Sequence, residues 1–195
     1  MPVWGWILIA VLVVIAVLAI IASRAISGRK RTERLKGRFG PEYERTVGEA
    51  GDQNAAEKEL AARERKREKL DIVPLPPEAR AKYTDSWRTV QIEFVDNPSS
   101  AVAAADRLVI HVMRERGYPI DDFDQRAADI SVDHPKVVEN YRTAHGIYLA
   151  QEQGEIGTED QREAFVHYRE LFEKLLETDE NNDEPNKDEP KETRA

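Results

Sequence analysis

Two pairs of side chains have the types and spacing for acid–base or metal chemistry: His111 with Glu115, and Glu163 with His167. Each pair is four residues apart, so on a helix its imidazole and carboxylate share one face and could hold a divalent transition metal. Neither pair completes a known arrangement. Diiron carboxylate bundles use Glu-x-x-His motifs plus further inward glutamates, and a zincin needs both histidines of His-Glu-x-x-His. His145 falls near the apolar face of its predicted helix, which suits a packed histidine with one hydrogen bond better than a ligand. The chain has no cysteine, so disulfides, iron–sulfur clusters and thiol nucleophiles are excluded. It also lacks a Gly-x-Ser-x-Gly elbow, a P-loop and a Gly-x-Gly-x-x-Gly turn. Asp121, Asp122 and Asp124 lack the glycine and terminal glutamate of a calcium loop; acids gathered at a helix N-terminus explain them. The expectation is therefore no catalytic, cofactor-binding or metal residue. An enzyme or metal-binding bundle using His111, His145 or His167 is the alternative.

The elements that would position these residues are helices. Tyr83, Trp87, Val90 and Phe94 recur at helical spacing until Asp96, Asn97 and Pro98 stop one helix and start the next. Ala101, Val102, Ala105, Leu108, Val109, Val112 and Met113 line the second, which Gly117 ends. A brief turn from Asp121 carries Phe123 inward. A third helix opens at Asp133 or His134 before Pro135 and aligns Val137, Val138, Tyr141, Ala144, His145 and Tyr148 as far as Gly154. Thr158 and Gln161 have capping-box spacing before Phe165, Tyr168, Leu171, Phe172, Leu175 and Leu176. Apolar stripes of this kind are buried by packing together, since each Leu or Phe contributes about 1.5 to 3 kcal/mol. No strand-length alternation competes. Residues 74–177 are thus expected to form a small antiparallel all-α bundle, with Tyr83, Trp87, Val90, Phe94, Leu108, Val112, Tyr141, Phe165, Tyr168 and Phe172 in its core.

Upstream, Val3 to Ala22 contains no charged side chain, and thirteen of its residues are Val, Ile or Leu. A helix of about 20 such residues crosses a bilayer's hydrocarbon core, with roughly 4 to 8 kcal/mol of favourable transfer. Trp4 and Trp6 suit an interfacial aromatic belt. No Lys or Arg precedes the run, as a cleaved signal peptide would require. After it, Arg24, Arg29, Lys30, Arg31, Arg34, Lys36 and Arg38 are opposed only by Glu33. By the positive-inside rule this basic segment, 23–40, lies in the cytoplasm and the N-terminus outside. The lipid bilayer is the first expected partner. Nucleic acid is not expected, since only Phe39 stands near the basic charges.

Gly37, Gly40 and Pro41 are expected to break any continuing helix, and Gly48 and Gly51 to interrupt a short turn from Tyr43 to Val47. From Asp52, a plausible N-cap, to Leu70 the chain is rich in Ala, Glu, Lys and Arg. Leu60 and Leu70 make too narrow a stripe to anchor it, so 41–73 reads as a solvated helical spacer or a weakly self-associating helix. Pro74, Pro76 and Pro77 mark the expected domain boundary. Residues 178–195 carry Asp, Glu, Asn and two prolines without a large apolar side chain, the composition of a disordered acidic tail. The net charge of -8 is therefore a sum of unlike segments: about +6 over Arg24–Arg38 and about -5 over Glu177–Ala195.

Phe39-Gly40-Pro41-Glu42-Tyr43-Glu44-Arg45-Thr46-Val47, Asp122-Phe123-Asp124-Gln125-Arg126-Ala127-Ala128-Asp129 and Val132-Asp133-His134-Pro135, with the apolar N-terminal run, resemble a family of uncharacterised single-span membrane proteins of high-GC Gram-positive bacteria. The resemblance covers most of the chain and implies no activity and no catalytic residues. The architecture points to a membrane-anchored cytoplasmic interaction or adaptor module with an unknown protein partner. A self-associating structural membrane protein is a third option.

Overall fold

The computed structural model describes Trp4, Leu12, residues 28–154 and residues 156–177, and every regular element among them is an α-helix. The Val3–Ala22 run lies outside the described residues apart from Trp4 and Leu12, as do Arg24 and the 178–195 tail. Among the described residues no helix is long and apolar enough to cross a membrane. The chain divides into two compact units, Met1–Ala61 and Ala62–Ala195. That division falls within a helix rather than in the proline run at Pro74 to Pro77.

In the first unit, α1 is helical over 28–39, α2 spans Pro41–Ala50, and the first part of α3, Gln53–Arg67, completes it. Gly37 does not break α1. The break comes at Gly40, whose φ of +50° suits only a residue without a Cβ, and Pro41 then opens α2. Gly48 likewise stays helical, and α2 ends at Gly51 in the left-handed region. Asp52 caps α3 as expected, its Oδ2 accepting from the Ala55 N–H at 2.7 Å. The solvated-spacer expectation is corrected here: Ala56 and Leu60 are fully buried, and Glu57 nearly so. Glu57 accepts from Thr32 Oγ1 (2.6 Å), Tyr43 Oη (3.0 Å) and Gln53 Nε2 (3.0 Å), with Arg31 Nε at 3.5 Å. One carboxylate therefore joins α1, α2 and α3.

The second unit is built from α4 (Pro77–Asp96), α5 (Pro98–Arg116), α6 (Phe123–Asp133), α7 (Val138–Glu152) and α8 (Thr158–Leu176). Asn97 ends α4 and caps α5, its Oδ1 accepting from the Ser100 N–H at 3.1 Å. Tyr83 near the start of α4 reaches Glu115 near the end of α5, so these helices run antiparallel. Trp87 stacks on both Phe165 and Phe172, with centroids 5.1 and 4.7 Å apart, while Phe94 meets Phe165; α4 is therefore antiparallel to α8 as well. Asp106 meets Tyr168, and Arg116 meets the Leu175 carbonyl, so α5 and α8 run the same way. On the other flank, Gln151 reaches the Ser99 carbonyl and Asn140 reaches Glu170, which sets α7 antiparallel to both.

All the expected core residues are buried except Phe94, which is half-buried against the cluster. The expected turn after Asp121 is instead the eleven-residue helix α6, capped by Asp122 Oδ1 on the Gln125 N–H at 2.8 Å. Alternation of acids with Phe123, Ala127 and Ile130 hid its apolar stripe. Pro135 does not start α7; α6 runs to Asp133 and α7 begins at Val138. α8 opens one residue earlier than its capping-box spacing suggested, with the Gly157 N–H donating to Asp160 Oδ2 at 3.0 Å. Gly117 holds φ +94°, and a Cβ there would lie 2.4 Å from the Asp71 carbonyl oxygen, so both conformation and space require glycine. The last turns of α3 are also anchored: Lys66 reaches Asp129 at 2.7 Å, Arg63 reaches Ser131 at 3.3 Å, and Arg67 pairs with Asp133.

Candidate functional site

His111 and Glu115 lie on the exposed face of α5, but the glutamate is directed elsewhere: its Oε2 accepts from Tyr83 Oη at 2.6 Å. Burial and that carboxylate push the Tyr83 phenol up to about 12. His167 Nε2 stands 3.6 Å from Glu163 Oε1, beyond a good hydrogen bond, and its Nδ1 is buried without a hydrogen-bond partner. Among the described residues neither pair acquires a third ligand. Among the described residues no three His, Asp or Glu side chains converge as a metal site would require.

His145 sits in a denser polar cluster. Its ring stacks on Phe123 of α6 with centroids 3.8 Å apart and planes 8° from parallel, and its Nδ1 lies 3.8 Å from Asp106 Oδ1. The expected hydrogen bond is not made at Nδ1. Asp106 instead accepts from Tyr168 Oη at 2.9 Å, while Arg126 Nε donates to Tyr141 Oη at 3.1 Å and its Nη1 to the Asp121 carbonyl at 3.0 Å. Burial raises Tyr168, and the adjacent Asp106 charge raises it further. Burial also pushes Tyr141 up to about 12 against the opposing influence of Arg126.

Asp, His and Tyr are residue types found in proton relays, but this geometry is not a relay. A general base must reach the proton it takes, and here the buried tyrosine already donates to the aspartate without the histidine between them. The cluster's work is mechanical: it fastens α5, α6, α7 and α8 at one level of the bundle. Asp106 and Arg126 were missed in the sequence. A signal existed for Asp106, which stands four residues after Val102 and three before Val109, inside the apolar stripe. Arg116 was missed too; it is 3% exposed and donates to the Val73 and Leu175 carbonyls at 3.3 and 3.0 Å.

The surface offers more than the interior. A cleft between α4 and α8 is lined by Arg80, Trp87, Arg88, Phe172, Glu173 and Glu177, mixing both charges with an aromatic floor. On the outward side of α4, Ile92 and Val95 are 71% and 81% exposed above a shallow depression bordered by Arg88, Gln91 and Asp96. In the first unit, Arg29, Lys30, Arg34, Lys36 and Arg38 are exposed along α1; Arg31 lies 3.5 Å from Glu57 and Lys36 lies 3.0 Å from Glu44. Among the described residues the fold is all-helical, and its buried polar groups join one helix to another. No known protein family, characterised protein or solved structure matches the chain.

Proposed function

We propose that this protein is a membrane-anchored cytoplasmic interaction module. Val3 to Ala22 spans the bilayer with the N-terminus outside, and the basic residues from Arg24 to Arg38 hold the following flank in the cytoplasm. The helical units are then the part that meets a protein partner. The observation that carries the reading is the outer face of α4, where Ile92 and Val95, one turn apart, expose large apolar side chains beside Arg88 and Asp96. Apolar residues rimmed by charges are typical of recognition surfaces. The resemblance to uncharacterised single-span membrane proteins points the same way. Self-association through Asp52–Leu70 is less favoured, because Leu60 and Ala56 are buried within the chain.

Proximity labelling in cells from a tag on the C-terminus tests the proposal, comparing the full chain with one lacking residues 1 to 22 and with Ile92→Asp/Val95→Asp. The expected result is a small set of cytoplasmic or membrane proteins enriched by the anchored chain alone and lost in the double variant. Labelling of exported proteins would reverse the topology. An unchanged set without residues 1 to 22 would remove the anchor from the function.

A further inference from the structure

Charged and apolar residues on the outer face of α4 are arranged about one point. Tyr83, Trp87 and Val90 are buried on the inner face, and Ile92 and Val95 stand largely exposed on the opposite side. Arg88 precedes Ile92 by four residues and Asp96 follows it by four. A cation and an anion thus flank the same apolar centre, each about 6 Å from it along the helix at 1.5 Å per residue. These residues, with Gln91, border one shallow depression. Arg88 also meets Asp85 at 2.8 Å, but that pair lies in water, its side chains 70% and 71% exposed, where an ion pair holds its members weakly.

A face with opposite charges at equal distances from its centre is complementary to itself. Turned end over end by a two-fold axis at Ile92, a second α4 runs antiparallel to the first. Ile92 then meets Ile92 of the other copy, Val95 packs beside that apolar centre, and Arg88 of each copy stands level with Asp96 of the other. Parallel pairing would set like charges together instead. We propose that the outer face of α4 is the surface through which two copies of this chain pair. A foreign partner would cover Ile92 and Val95 without needing this symmetry of charge. The contact is the same on both copies, so it closes as a dimer and does not propagate. One helix face is small against the roughly 800 Å² per partner of a stable interface, so pairing is weak between free copies and takes hold where an anchor concentrates them in one bilayer. The inference rests on the membrane-anchor reading and names the occupant of the α4 face.

The chain has no cysteine, so single cysteines report the pairing directly. The full chain carrying Ile92→Cys or Ala81→Cys, both at exposed positions of α4, is reconstituted into phosphatidylcholine vesicles and oxidised with copper phenanthroline. Ala81 lies eleven residues from Ile92. In the antiparallel pair its two copies are about 33 Å apart along the helix, far beyond disulfide reach, while the two positions 92 adjoin. A disulfide dimer is expected at position 92, with at least a ten-fold lower yield at position 81. Arg88→Glu should lower the yield at position 92 several-fold, and adding Asp96→Arg should restore it, because the exchanged charges again face their opposites. Asp96→Arg alone replaces Arg88→Glu as the single variant if the latter fails to melt cooperatively, and it should lower the yield in the same way. Equal yields at the two positions mean parallel pairing or random collision and overturn the inference, as does a charge exchange that restores nothing. No dimer at position 92, while the chain floats with the vesicles, overturns the inference and leaves the anchor intact. Failure to float overturns the anchor itself. A thiol at position 92 that forms no dimer and is shielded from a maleimide only when cell extract is added reassigns the face to another protein.

Discussion

At the scale of single residues, buried charges organise both units. Glu57 is the clearest case. Burial alone would raise its carboxyl, but hydrogen bonds from Thr32, Gln53 and Tyr43 and the nearby Arg31 charge outweigh that and hold it below its ordinary value of 4.5. A carboxyl depressed on folding stabilises the native state above its unfolded value, and the stabilisation is lost as pH falls through the folded value. Acid below about 4.5 should therefore loosen the first unit, seen as faster amide exchange over residues 28–61. Glu57→Ala should produce the same loosening at neutral pH, because it strips the Tyr43 and Thr32 hydroxyls of their acceptor, a loss of about 1 to 3 kcal/mol. Glu57→Gln, which keeps an acceptor oxygen, should lose less and should remove the acid sensitivity. Unchanged exchange in Glu57→Ala would show that the carboxylate does not hold these helices. None of this was legible from α3, where a glutamate amid Ala, Lys and Arg has the composition of a solvated face. Burial of a charge is set by neighbours distant in sequence, here Thr32 and Tyr43.

At the scale of elements, legibility followed punctuation. Asn97-Pro98 and Gly117 bound α4 and α5 where the sequence placed those limits, because a cap, a missing N–H and a left-handed glycine act locally. Where the stop is tertiary the limits moved: α6 went unseen, and α7 starts three residues beyond Pro135. The two faces of α4 make the division of labour within one helix testable. Trp87, 6% exposed between Phe165 and Phe172, should not tolerate a charge, and Trp87→Asp should abolish the cooperative melt. Ile92→Asp and Val95→Asp lie on the outward side and should change stability by no more than about 0.5 kcal/mol. A cooperative melt retained by Trp87→Asp, or lost in Ile92→Asp, would invert the assignment of faces. The candidate site was legible in part for the same reason: the stripe of Tyr83, Trp87, Val90 and Phe94 is plain in the sequence, but that Ile92 and Val95 stay uncovered on the other side is a tertiary outcome.

For the whole molecule, the all-helical class was legible because helical periodicity repeats along the chain, while the division at Ala61–Ala62 was not, since a continuous helix carries no sequence mark of it. The tyrosines report on folding of both units together. All six are shifted upward: Tyr83 and Tyr141 to about 12, and Tyr43, Tyr118, Tyr148 and Tyr168 in the same direction. For all but Tyr148 burial is the leading cause; Tyr148 is raised first by its hydrogen bond to Glu152. A phenol whose folded value exceeds its unfolded value favours the native state while protonated, so its contribution is complete below about 10 and lost as pH rises through the folded value. Stability should accordingly fall between about 10 and 12, the window set by Tyr83 and Tyr141. In an alkaline titration, tyrosinate absorbance should lag behind that of free tyrosine and then rise together with the loss of helical ellipticity, because ionising Tyr168 beside Asp106 requires opening the bundle. Full tyrosinate absorbance near pH 10 with helicity intact would mean that the phenols reach water in the folded protein and that the polar cluster does not fasten its helices.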